Sequence, residues 1–237
     1  MRVFKKILFA ILSFVTCSLS VSSLSSCSNT KSYADYVIDE ENYIQRWLDY
    51  KNFSVAATFD EEQLDKMATK ILEDSAVPSD YIELGKWYQV GEGDFKRLLF
   101  RVNDWGKGYP DMKSKNKFYE DENVLVRYDS LFDISGYDYT EGAKNYSADN
   151  LEPNSYQICY NWRRNYYSNT YYSYSYSSGS SYDCTSGGLG FPIRFLWQGG
   201  SASVICPFNL IPSSLSSYYY TLYYGTIRYT KPNYTPQ

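Results

Sequence analysis

Histidine is absent from the 237 residues, and that absence removes much of the hydrolytic and metal chemistry that a chain of this length could carry. Ser-His-Asp and Cys-His nucleophilic catalysis both need an imidazole to take the proton, and so does every zinc site built on nitrogen ligands. The five cysteines do not fill the gap. No CxxC occurs, which leaves neither a thioredoxin-like pair nor a cysteine metal site, and neither a metal nor a cofactor is expected. Cys159, Cys184 and Cys206 are the thiols of the body of the chain. An oxidising compartment permits a disulfide, and Cys159 with Cys184 would close the tyrosine-rich stretch between them. Cys206, flanked by Val204, Ile205 and Pro207, reads instead as a buried strand thiol. The connectivity stays open, because spacing alone does not select a pairing.

Cys27 has the most specific setting. Arg2, Lys5 and Lys6 form a basic start, Ile7 to Val15 is almost wholly apolar, and the run ends in Leu24-Ser25-Ser26-Cys27. The first part reads as a secretory signal. The last four residues resemble the lipobox of bacterial lipoproteins, in which cleavage precedes the cysteine and the thiol is acylated. Two other readings are an ordinary cleaved signal with an incidental Cys27 and an uncleaved anchor. Serines from Ser18 to Ser26 argue against the anchor, since a spanning helix needs roughly 18 apolar residues. The expectation is a signal peptide over 1–26, lipid on Cys27 and a tether over 27–33. The two or three acyl chains of such lipoproteins hold a protein far more firmly than one. Ser28, Asn29 and Thr30 carry no acidic run, which points to the outer membrane, facing the periplasm.

Removing residues 1–26 takes away Arg2, Lys5 and Lys6 and no acid, so the formal charge moves from −4 to about −7. The mature chain is mildly acidic and has no basic stripe, which excludes nucleic acid as a partner.

These residues must be positioned by the elements that follow. From Tyr33 to Tyr50 the residues Tyr36, Val37, Tyr43, Ile44, Trp47 and Leu48 recur at helical spacing, with Asp39, Glu40, Glu41 and Arg46 opposite. Packing against the following domain accounts for this amphipathic helix, and partner binding is the alternative. A second helix is expected from Asp60, as N-cap, to about Asp74, with Leu64, Met67, Ile71 and Leu72 on one side and Pro78 barring continuation. Strand-like runs follow at Tyr81–Leu84, Trp87–Val90, Arg97–Asn103, Val124–Phe132 and Tyr156–Tyr160. Residues 161–188, dense in Tyr and Ser, read as a long hairpin or surface loop, either a half-buried strand pair or an aromatic surface for sugars or peptides. Gly190–Gly200 holds a short helix with Pro192 in its first turn and Gly199 at its stop. Strands over Ser201–Pro207 and Tyr220–Tyr229 close the chain.

The segment Leu98-Leu99-Phe100-Arg101-Val102-Asn103-Asp104-Trp105-Gly106-Lys107-Gly108 resembles the first strand and Gly-x-Gly turn of FKBP-type peptidyl-prolyl isomerases. Val124 to Asp133 is similar to the next strand of that family, Tyr137-Asp138 to its Phe-Asp pair, and Tyr156 to a second pocket aromatic. Gly188 to Pro207 resembles the helix, turn and strand that follow, and Leu222 to Arg228 the last strand. The whole mature chain also resembles uncharacterised bacterial lipoproteins with a diverged domain of this kind. The resemblance implies an α+β fold, a curved antiparallel sheet wrapped on one short helix, over residues 94–231. It is preceded by a helical segment over 34–93 and followed by a tail over 232–237. It also implies a candidate pocket of Tyr128, Tyr137, Asp138, Tyr156 and Tyr224.

Prolyl isomerisation lowers an amide-rotation barrier of about 20 kcal/mol and needs no nucleophile, metal or histidine, only a dry pocket that distorts the bond. Here Leu189 stands where active members have a pocket-floor tryptophan, and Leu210-Ile211-Pro212 lacks the Tyr-Gly pair. The expected function is therefore a membrane-anchored module that binds or supports without catalysis. One alternative is a prolyl isomerase or chaperone acting on a proline-containing peptide or unfolded exported protein. The other is a glycan- or peptide-binding surface built from the tyrosine-rich stretch.

Overall fold

The structure, a computed structural model, describes residues 31–111, 115–119, 124–128, 130–135, 157–159, 173–174, 181–182, 187–211 and 218–231. The chain falls into two units, Met1–Val37 and Ile38–Gln237. In the first unit, the Ser32 backbone N–H and hydroxyl both donate to Asp35 Oδ2 at 2.8 Å, a cap that opens helix α1 (Tyr33–Lys51). Those two bonds hold the exposed Asp35 carboxyl below the ordinary carboxylate range. No helix among the described residues is long and apolar enough to cross a membrane.

In the second unit, α1 ends where the Phe53 N–H donates to the Leu48 carbonyl at 2.8 Å and Asn52 turns to a φ of 55°. Strand β1 (Val55–Phe59) follows and was not expected from the sequence. Helix α2 (Glu61–Leu72) opens as expected at Asp60, whose N–H donates to Gln63 Oε1 at 2.9 Å. Tyr81–Leu84, expected as a strand, is a turn. Its Tyr81 and Ile82 amides both donate to the Pro78 carbonyl at 3.0 Å, and the Glu83 N–H donates to the Tyr88 hydroxyl, so no ladder is left to it. The following strands are β2 (Trp87–Val90), β3 (Leu99–Asp104), β4 (Val124–Tyr128), β5 (Leu131–Asp133) and β6 (Gln157–Cys159). The expected single strand Val124–Phe132 is broken at Ser130, whose carbonyl accepts the Gly225 N–H at 3.0 Å. Ser173–Tyr174 (β7) and Ser181–Tyr182 (β8) form a small antiparallel pair inside the tyrosine-rich stretch.

A helical turn α3 (Gly187–Gly190) leads into a 3-10 turn (Phe191–Phe195). The expected helix over Gly190–Gly200 therefore starts earlier and stops sooner. Its would-be last turn is claimed by other backbone, with the Trp197 N–H donating to Trp105 O at 2.8 Å and the Gln198 N–H to Asn116 O at 2.6 Å. Gly188 permits the close approach to the sheet, since a Cβ there would lie 2.1 Å from Cys206 Sγ. Strands β9 (Ser201–Cys206) and β10 (Leu222–Thr230) complete the fold.

Eight of these strands form one curved sheet in the order β1-β2-β3-β9-β10-β4-β6, with β5 also on β10. All neighbours are antiparallel except β1 and β2. The β1-α2-β2 crossover makes that pair parallel, so the sheet begins before residue 94. Period-two alternation divides the core. Tyr88, Phe100, Val204 and Tyr224 join the larger cluster, with residues of α2 and of α3 and its following turn. Trp87, Leu99, Ile205 and Tyr223 join the smaller one with Ile44, Trp47 and Leu48 of α1. The α+β class and the sheet wrapped on a short helical turn stand as the sequence implies, and α1 covers the opposite face.

Candidate functional site

Of the five candidate pocket residues, two lie among the described residues, and they meet. Tyr128 ends β4, opposite Ile227 of β10. Tyr224 precedes the register shift in β10 between Tyr224 and Ile227. Their rings stand edge to face, centroids 5.2 Å apart at 76°, a favourable aromatic geometry. Tyr224 is 2% exposed and Tyr128 half-buried, so the pair reads as the rim of the core with one ring turned outward. Tyr137, Asp138 and Tyr156 lie outside the described residues, as do Cys27 and Cys184. Cys159 is placed only as backbone in β6. Cys206 is the buried strand residue expected of it.

Two residues expected around the pocket are buried in the core. Leu189 is 2% exposed and Ile211 3%, and both belong to the cluster that contains Tyr224, Leu222 and Ile227. The Tyr229 hydroxyl, itself buried, donates to the Leu189 carbonyl at 2.8 Å, which ties α3 to the last strand. Here a leucine side chain and its backbone are components of the core.

A buried polar centre lies between α1 and the segments before β3, after β9 and before β10. Glu40 is 1% exposed. Its Oε2 accepts from Arg97 Nε at 2.6 Å, and its Oε1 from the Phe208 N–H at 2.6 Å and Thr221 Oγ1 at 3.4 Å. Arg97 adopts a φ of 73°, donates to Asn209 Oδ1 at 3.3 Å and lies 5.7 Å from the Phe208 ring centroid. Burial dominates the electrostatics and pushes the Glu40 carboxyl above its ordinary range, against the pull of the Phe208 N–H and Arg97. Glu40 was expected on the polar face of α1. The signal that could have found it is its place four residues before Ile44 on the stripe that continues to Trp47 and Leu48.

Two further buried charges fasten α2. Arg194 donates to Asp65 Oδ1 at 3.0 Å and sits 4.2 Å from the Phe191 ring centroid. Lys117 donates to the Ile71 carbonyl and to Asp74 Oδ1 at the end of that helix. At its start, Glu61 is buried with no partner for Oε1 among the described residues, and desolvation raises its carboxyl pKa. Among the described residues no group of three Cys, Asp or Glu side chains is placed to hold a metal ion. These centres are built to fasten helices to a sheet, and none presents a nucleophile with a base.

No family model matches the chain, and no curated protein matches it. Among solved structures it is similar to a DUF4827 family protein from Parabacteroides distasonis, at 16% identity, with 86% of this chain and 98% of that one covered and a TM-score of 0.48. It is also similar to FkpA from Escherichia coli, at 11% identity, with 91% and 80% covered and a TM-score of 0.33. Both likenesses are distant.

Proposed function

We propose that this chain is a lipid-anchored protein of the bacterial envelope whose FKBP-like body serves as a binding or structural module without prolyl-isomerase activity. The burial of Leu189 and Ile211 in one cluster with Tyr224 carries the reading. An isomerase needs a dry hollow in which the prolyl bond is distorted. Two core side chains and a hydroxyl-to-carbonyl bond favour a closed floor here. Acyl chains on Cys27 attach the body to the membrane, with the outer membrane facing the periplasm as the site. A short tether then holds the body close to the lipid surface.

Two measurements test the reading. Radiolabelled fatty acid should enter the wild-type chain and not Cys27→Ser, and only the wild type should sediment with membranes. An NMR titration with a proline-containing peptide should leave the amides of Tyr128, Tyr224 and Leu189 unmoved. Saturable shifts confined to those three would sink the non-catalytic reading, and equal membrane recovery of Cys27→Ser would sink the anchor.

A further inference from the structure

We infer that β1 is a self-association edge, to which a second copy of this chain adds its own β1 in antiparallel register and so extends the sheet across two protomers. Among the described residues, β1 is the terminal strand of the sheet and pairs only with β2. The Phe59 carbonyl accepts the Gly91 N–H at 2.9 Å. The backbone groups of Phe59 thus face β2, and by alternation those of Thr58 face away. Ala56 is the extra residue at the register shift between Val55 and Ala57 and has no partner in β2. No hydrogen bond ties the outer side of β1 to any other residue among the described ones. The side chains of Ala56 and Thr58 are exposed.

Sheet proteins blunt such edges with lysine, with proline or with a covering helix. Val55-Ala56-Ala57-Thr58-Phe59 has no charge and no proline, and its bulge is the one protective feature. A second copy fits this edge better than an unrelated strand because the sequence is complementary to itself about Ala57. A twofold axis there sets Ala57 opposite Ala57, a close pair that suits small side chains. Thr58 then lies opposite Ala56, and the two can exchange backbone hydrogen bonds on each side of the axis. No like charges meet. Lys51 precedes the strand and Asp60, Glu61 and Glu62 follow it, so the basic end of one copy approaches the acidic end of the other. A five-residue edge buries less than the roughly 1,200 Å² of a stable interface. The contact is therefore weak in solution and is favoured wherever copies are concentrated on one surface.

The test is oxidative cross-linking of the full chain, read on non-reducing gels against the wild type. Ala57→Cys should give a covalent dimer, because the residue faces itself across the axis. Thr58→Cys should not, because it faces Ala56. In sedimentation velocity the wild type should show a concentration-dependent dimer. Thr58→Lys places charge on the edge, and Thr58→Pro removes an N–H that makes no bond to any other described residue. Each should weaken the dimer at least tenfold, with circular dichroism and melting temperature close to wild type. No cross-link at Ala57→Cys, a cross-link at Thr58→Cys alone, or a dimer that ignores both Thr58 variants overturns the inference. The cross-link reads the contact whether or not Cys27 carries lipid, so its failure is distinguishable from failure of the anchor.

Discussion

Replacing Glu40 separates two contributions that its burial combines. Glu40→Ala leaves the Phe208 N–H and the Thr221 hydroxyl without their acceptor and Arg97 without its carboxylate. Removing one partner of a buried ion pair costs about 3–5 kcal/mol, and stranded donors of this kind about 1–3 kcal/mol each within that total. For a chain of this size the loss corresponds to a drop in melting temperature of roughly 6–20 °C. Glu40→Gln keeps an acceptor oxygen. It keeps the Phe208 N–H and the Thr221 hydroxyl bonded but still takes the counter-charge from Arg97, so it should lose less than Glu40→Ala by about 1–3 kcal/mol. The sign with pH follows. A carboxyl with a raised folded-state pKa binds its proton more tightly folded than unfolded, so its contribution grows as pH falls through the folded value towards the ordinary 4.5 and shrinks as pH rises. Glu61 acts in the same sense. Asp35 and Glu62, held low by hydrogen bonds at the surface, act in the opposite sense. Urea denaturation of wild type, Glu40→Ala and Glu40→Gln at several pH values between 4.5 and 8 is the assay. Equal losses in the two variants, or a wild-type contribution that rises with pH and vanishes in Glu40→Gln, would refute the reasoning.

Two other substitutions probe the candidate site and its supports. Tyr229→Phe removes the donor to the Leu189 carbonyl and should cost about 1–3 kcal/mol in thermal or chemical unfolding, whereas Tyr128→Phe should cost far less because that ring is half-exposed. Gly106→Ala should cost more than about 2 kcal/mol and show as a lower melting temperature. Gly106 has a φ of 95°, and a Cβ there would lie 2.4 Å from the Trp197 carbonyl oxygen and 2.7 Å from the Gly200 nitrogen, both backbone atoms with little room to move.

Much of the fold is legible in local pattern. The strand-like runs Trp87–Val90 and Arg97–Asn103, the capping signal at Asp60 and the stripe of Ile44, Trp47 and Leu48 each fall on an element observed, the second run shifted to Leu99–Asp104. The missed features depend on partners distant in sequence. Val55–Phe59 lies immediately between two helices, and its pairing with β2 spans the whole of α2. The bend at Ser130 is set by Gly225. Glu40 reads as a surface acid until Arg97, 57 residues on, supplies its counter-charge. At the candidate site, the substitution of Leu189 for an aromatic floor is visible in the sequence. The hydrogen bond from Tyr229 that fixes it is not, because it joins residues 40 apart.

The central claim is a closed floor beside Tyr128 and Tyr224, and a protease-coupled assay of prolyl isomerisation on the full chain tests it most directly. The account predicts the uncatalysed rate at micromolar protein across peptides that differ in the residue before proline. Acceleration that scales with protein concentration and is lost on Tyr224→Ala, in a variant shown to be folded, would contradict it.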